Sequence, residues 1–185
     1  QATGPSSFRV AVLASGEGTN LQALIDAFRG PAGIEIVAVA GDKPEAQALA
    51  RARAAEIEHQ AFPTSSYADR AARDAELASW LELRKPDLLV LAGYMQILSP
   101  AFVQQFRGRA INVHPSLLPA FPGLAAIEQA FDYGVKIYGV TVHAVDEGVD
   151  SGTVIAQAAL PLDNAESPAQ VHRQLRPLEH ELLTQ

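Results

Sequence analysis

Between residues 8 and 113 the chain alternates between two hydrophobic periodicities, and this alternation limits its fold more than any other feature. Residues 8–14 (F-R-V-A-V-L-A), 34–40 (I-E-I-V-A-V-A), 57–62, 87–92 (D-L-L-V-L-A) and 109–113 read as short strands bounded by turn residues. Between them the spacing becomes helical: Leu21, Leu24, Ile25 and Phe28 in one segment, an Ala-rich stretch over 45–55, and a segment over about 67–83 entered through Pro63 and the capping residues Thr64, Ser65 and Ser66. Leu77, Trp80 and Leu81 should face the sheet, and His59 should lie at a surface or strand edge. Strand and helix in regular alternation close as a parallel sheet with right-handed crossovers. Residues 135–145 and 153–161 then form a hairpin pattern joined by an acidic connection, 146–152, and Ser167 with Pro168 opens a last helix through Val171, Leu175 and Leu178. The expected fold is therefore α/β, a mostly parallel Rossmann-like sheet flanked by helices, with a C-terminal antiparallel hairpin and a final helix.

A chain of 185 residues suits a single domain, expected over 8–185. Residues 1–7 are expected to be a flexible N-terminal end; they lack the basic and apolar regions of a signal peptide. The absence of cysteine rules out disulfides, thiolate metal sites and a thiol nucleophile, and fits a reducing, cytoplasmic setting. A net charge of −7 argues against a protein built to grip nucleic acid, and no apolar run is long enough to span a membrane.

Two stretches carry chemistry. The first is Ser15-Gly16-Glu17-Gly18-Thr19-Asn20, a glycine loop between a strand and a helix. Backbone amides and the helix dipole favour an anion there, and a phosphate is the natural candidate. Gly16 and Gly18 also match the start of a dinucleotide fingerprint, and Asp42 ends the next strand where an acid would meet a ribose, but Leu21 replaces the third glycine. The second stretch is I-N-V-H-P-S-L-L-P-A-F-P-G, residues 111–123. Pro115 ends the strand, and the two-residue repeat puts Asn112 and His114 on one face, about 7 Å apart. An amide donor beside a titratable imidazole suits a developing oxyanion. The seven-residue connection 146–152 exceeds what a tight turn needs, and within it Asp150 is the candidate carboxylate partner of His114. His143 lies inside a strand pattern and reads as packed rather than catalytic.

The run N-V-H-P-S-L-L-P-A-F-P-G resembles the signature of the formyltetrahydrofolate-dependent formyltransferases, with matches in the family's order from residue 9 to about 180. The resemblance implies transfer of the formyl group of 10-formyltetrahydrofolate, as co-substrate, to the amine of glycinamide ribonucleotide in de novo purine (IMP) biosynthesis, through a tetrahedral intermediate and without a metal. Asn112, His114 and Asp150 would be catalytic. Gly18, Thr19 and Asn20 would hold the ribonucleotide phosphate, and Glu179 its ribose. Folate contacts would come from Arg70 and from Met95, Gln96, Ile97 and Leu98, with Gln96 standing where relatives commonly have Arg. Asn112, Val145, Asp146, Gly148 and Asp150 would complete them. Ala125 and Ala126 stand where many relatives place histidines, and Arg176 suits a surface ion pair equally well. The partners implied are these two small molecules, with neither nucleic acid nor membrane, in a monomer or homodimer. Two alternatives stay open: a formyltetrahydrofolate hydrolase using the same three residues, and a non-catalytic nucleotide-binding module, which would need Gly16 and Gly18 but not the three together.

Overall fold

The computed structural model describes residues 7–30 and 33–185, so most of the expected N-terminal end, residues 1–6, lies outside the described residues. The chain forms two compact units, the first ending at Ala110 and the second spanning Ile111–Gln185.

In the first unit four strands, β1 (Phe8–Leu13), β2 (Ile34–Gly41), β3 (His59–Ala61) and β4 (Leu88–Leu91), lie in the order β3-β2-β1-β4. All pair in parallel. Helices α1 (Thr19–Ala27), α2 (Gln47–Ala54), α3 (Arg70–Glu82) and α4 (Pro100–Gln105) alternate with them. Val10, Ala11, Val12 and Leu13 are all buried, because a parallel strand covered on both faces is apolar throughout rather than alternating. Leu77, Trp80 and Leu81 are buried as expected, with Trp80 edge-on to Phe62 at 5.6 Å. His59 sits in the terminal strand β3, its Nδ1 2.9 Å from the Ile57 carbonyl.

The expected boundaries shift where side chains take over the chain ends. Helix α3 starts at Arg70 rather than near Tyr67, since the Asp69 carboxylate, 2.8 Å from the Ala72 amide, is the cap and Thr64–Ser66 forms a separate short turn. Strand β4 starts one residue late because the Asp87 carboxylate accepts from the Arg9 amide at 2.8 Å.

The second unit contains three strands, β5 (Ala110–His114, starting at the junction), β6 (Ile137–Ala144) and β7 (Val154–Pro161), in the order β5-β6-β7 and antiparallel throughout. Helix α5 (Ala126–Tyr133) begins after Ala125, which caps it in a left-handed conformation with φ 54°. Helix α6 (Pro168–Thr184) begins as the sequence indicates: the Ser167 hydroxyl accepts from the Gln170 amide at 3.1 Å and Pro168 occupies the first turn. Val171 and Leu175 of α6 pack with Val113, Ile127, Tyr138, Val140 and Val142 in one core. The expected parallel α/β segment, antiparallel hairpin and final helix are thus all present. Among the described residues no helix is long and apolar enough to cross a membrane.

Leu175 is fully buried at the centre of the second core. Leu175→Ala should lower unfolding stability by about 2–5 kcal/mol, measured by urea denaturation.

Candidate active site

Strand β5 delivers Asn112 and His114, and its antiparallel pairing with β6 sets Asn112 opposite His143 and His114 opposite Thr141. The chain beyond Pro115 folds back against β6: the Thr141 hydroxyl donates to the Ser116 carbonyl at 2.7 Å and accepts from the Leu118 amide at 3.1 Å. That return brings the Phe121 carbonyl to 2.8 Å from His114 Nε2. A carbonyl only accepts, so Nε2 carries a hydrogen and Nδ1 is the nitrogen turned toward Asp150.

Asp150 holds the site together. Its backbone has φ 52°, a left-handed conformation that Asp tolerates better than most residues. One carboxylate oxygen accepts from the Gly123 amide at 2.7 Å and lies 3.4 Å from His114 Nδ1. The other lies 3.4 Å from His143 Nε2 and 3.4 Å from Asn112 Nδ2. Asn112 Nδ2 is also 3.2 Å from His143 Nε2, while His143 Nδ1 faces the Ala144 carbonyl at 2.9 Å. His114 and His143 are both buried, and the Asp150 side chain retains 12% exposure. A carboxylate, an amide and two imidazoles therefore share one small volume with a path to solvent.

The electrostatics follow from this packing. Burial pushes the Asp150 carboxyl up, but the His143 hydrogen bond, the Gly123 amide and the nearby imidazoles outweigh it and hold the group below its ordinary value of 3.8. Burial pushes His143 down, yet the Asp150 carboxylate, the Ala144 carbonyl and the charge of Asp146 leave it above its ordinary 6.5.

The connection carrying Asp150 is itself structured. The Asp146 carboxylate accepts from the Gly148 amide at 3.0 Å and the Ser151 hydroxyl at 2.8 Å. Side chains are barred at two positions: a Cβ on Gly148 would collide with the Ser151 hydroxyl, and one on Gly152 with the Ala144 carbonyl. Val145 is half-buried at the start of this connection. In α6 Glu179 is buried and Arg176 half-buried.

The glycine loop lies in the first unit. Gly18 caps α1 with φ 72° and, being glycine, supplies no side-chain cap of its own. A Cβ there would lie 2.6 Å from the Ala48 backbone, so glycine is required. Arg51 braces the loop by donating to the Glu17 carbonyl at 2.7 Å. The first-turn amides of α1, from Thr19 and Asn20 onward, point along the helix axis as an anion site requires. Asp42, the acid of the dinucleotide alternative, is only 5% exposed and accepts from Gln96 Nε2 at 2.7 Å. With Leu21 in place of the third glycine and this carboxylate oxygen committed to Gln96, the dinucleotide alternative is disfavoured.

Met95 and Ile97 stand out at 61% and 68% exposure, with Gln96 and Leu98 half-buried between and beyond them. Arg70 is exposed at the start of α3. Thus Asn112, His114 and Asp150 come together as expected within the second unit, and His143, read from the sequence as packed, is both packed and in contact with Asp150. The signal for it was present in β6: Thr141 and His143 are polar residues two apart on a strand otherwise built of apolar ones. Only the register with Asn112 gives that signal meaning.

The chain belongs to the formyl transferase family, whose pattern it matches over residues 8–185, across both units. It is similar to the phosphoribosylglycinamide formyltransferase of Bacillus subtilis, with 40% identity over 173 residues that cover 93% of this chain and 89% of that protein. It is 50% identical over 157 residues to the trifunctional purine biosynthetic protein adenosine-3 of Drosophila melanogaster, covering 83% of this chain but 12% of that much longer protein. Among solved structures, glycinamide ribonucleotide transformylase 1 from Symbiobacterium toebii superposes with a TM-score of 0.93 at 41% identity, covering 98% of this chain and 86% of that one.

The two shifts make opposite contributions to pH dependence. Asp150, with a lowered folded value, stabilises the fold fully above about 3.8 and loses that contribution as pH falls through its folded value. His143, with a raised folded value, stabilises fully below about 6.5 and loses its contribution as pH rises through its folded value. Thermal melts from pH 3 to 9 should show stability declining on both sides of that window, and Asp150→Asn should flatten both limbs.

Proposed function

We propose that this chain transfers the formyl group of 10-formyltetrahydrofolate to the amine of glycinamide ribonucleotide, as a cytoplasmic step of de novo purine (IMP) biosynthesis. The observation that carries the reading is the convergence of Asn112, His114 and Asp150, with the acid 3.4 Å from both the amide and the imidazole. Family membership and the names of the relatives support the same reading.

In this mechanism the amine nitrogen attacks the formyl carbon, and the carbonyl π pair moves onto oxygen. With Nε2 held by the Phe121 carbonyl, the Nδ1–H of protonated His114 and the Asn112 Nδ2 amide donate to that oxyanion, and the Asp150 carboxylate stabilises the positive charge on His114. As the intermediate collapses, the bond from the formyl carbon to the folate nitrogen breaks. The proton lost by the incoming amine reaches the departing nitrogen with help from Asp150, through water or the imidazole. His143 orients the other oxygen of Asp150. The amides at Gly18, Thr19 and Asn20 take the substrate phosphate and Glu179 the ribose. The folate is held by Arg70, the Met95, Gln96, Ile97 and Leu98 segment, Asn112, and Val145, Asp146 and Gly148 beside Asp150. On this reading residues 8–185 work as one catalytic domain, as monomer or homodimer, on small molecules alone.

A hydrolase is the second reading, because water could attack the same carbon over the same three residues. The glycine loop favours the transferase: Gly18 is held where no other residue fits, at the N-terminus of α1, whose first-turn amides suit a phosphate.

Initial rates of deformylation with and without glycinamide ribonucleotide decide between them. Formyl loss only with the ribonucleotide is expected; equal loss without it would identify a hydrolase, and none in either would remove the assignment. Asn112→Ala and Asp150→Asn should each lower kcat by roughly 10²- to 10³-fold with much smaller changes in binding.

A further inference from the structure

A buried ion pair on α3 of the first unit is hydrogen-bonded to the segment read above as one wall of the folate site. Arg73 and Asp74, adjacent on α3, have side chains 3% and 0% exposed and pair at 2.8 Å. A buried pair of this kind is costly to desolvate and gives weak evidence for stability by itself, so its other partners matter. Arg73 donates to the Gln96 side-chain oxygen at 3.1 Å and to the Ile97 carbonyl at 3.3 Å. Asp74 accepts from the Ser99 amide at 2.5 Å. Gln96 Nε2 donates onward to Asp42 at 2.7 Å, and the Ser15 hydroxyl accepts from the Met95 amide at 2.8 Å. Every one of these bonds grips the segment from Met95 to Ser99 from the inside.

The segment has the alternation of an extended backbone. Gln96 points inward, with its amide engaged at both ends, while Met95 and Ile97 point outward at 61% and 68% exposure. Large apolar groups so exposed have nothing of their own to hold them. Their positions are set by the backbone, and the backbone by Arg73, Asp74, Asp42 and Ser15.

We propose that Arg73 is a positioning residue for folate binding: acting through Gln96 and the Ile97 carbonyl, it fixes Met95 and Ile97 as a preformed apolar wall for the pteridine. This rests on the proposed function above and refines it, since Gln96 then serves as an internal brace whose side chain need not touch the folate.

The test uses the full chain. Arg73→Lys keeps a cation beside Asp74 but replaces a planar fork of donors with a single ammonium that does not span Gln96, Ile97 and Asp74 together. It should raise the KM for 10-formyltetrahydrofolate about tenfold, leaving kcat and the KM for glycinamide ribonucleotide within about twofold. Gln96→Met in an Asp42→Asn background, which strands no buried charge, should act in the same direction and decides the matter if Arg73→Lys does not fold. Met95→Ser with Ile97→Ser probes the wall directly. If the wall variant raises the folate KM while folded Arg73 and Gln96 variants do not, the folate reading stands and the brace is overturned. If the wall variant has no effect, the folate assignment of this segment fails and the brace with it. Both KM values rising together with a lowered Tm would make Arg73 a general structural residue and also overturn the proposal.

Discussion

The Asp150 carboxylate is the interaction on which the candidate site depends. It reaches the Gly123 amide, His114 on β5 and His143 on β6, and so joins three segments otherwise separated in sequence. A group placed this way is sensitive to geometry. Its left-handed backbone, the Asp146 turn before it and the glycine after it each determine where its two oxygens fall. The His143 hydrogen bond, the Gly123 amide and the nearby imidazoles offset the burial of its charge.

The two units solve different problems with different strand chemistry. In the first, parallel strands hidden on both faces end in loops, and the candidate binding segments lie in those loops: Gly18 after β1 and the Met95 segment after β4. In the second, antiparallel strands carry polar residues on the strands themselves. Asn112, His114, Thr141 and His143 occupy alternate register positions on β5 and β6, one pair to either side of Val113 and Val142. Local backbone order therefore specifies the anion loop, whereas the chemical group needs strand pairing before it exists.

This difference explains what could be read from the sequence. Alternating apolar runs and helical spacing located every strand of the first unit and its helices α1, α2 and α3, because periodicity and capping are local. The ends drifted where a side chain such as Asp69 or Asp87 claimed a terminal amide. Asn112, His114 and Asp150 were legible from motif and loop length. His143 was not, since a histidine in an apolar strand is ordinary until its cross-strand neighbour is known to be Asn112. The inward turn of Gln96 was equally hidden, because its partners Arg73 and Asp42 lie 23 and 54 residues away.

The pairing of β5 with β6 also determines which changes of chain length the protein can accept. Side chains alternate between faces, so inserting or deleting one residue within β6 would exchange every position beyond it and send His143 and Thr141 to the opposite side. The pairing of β6 with β7 already carries an irregularity beside His143: between Val142 and His143 strand β7 holds one extra residue, Ile155. Gly152, seated against the Ala144 carbonyl, closes the far end of the connection. Among descendants of this sequence, the hairpin strands should drift in composition while keeping their residue count.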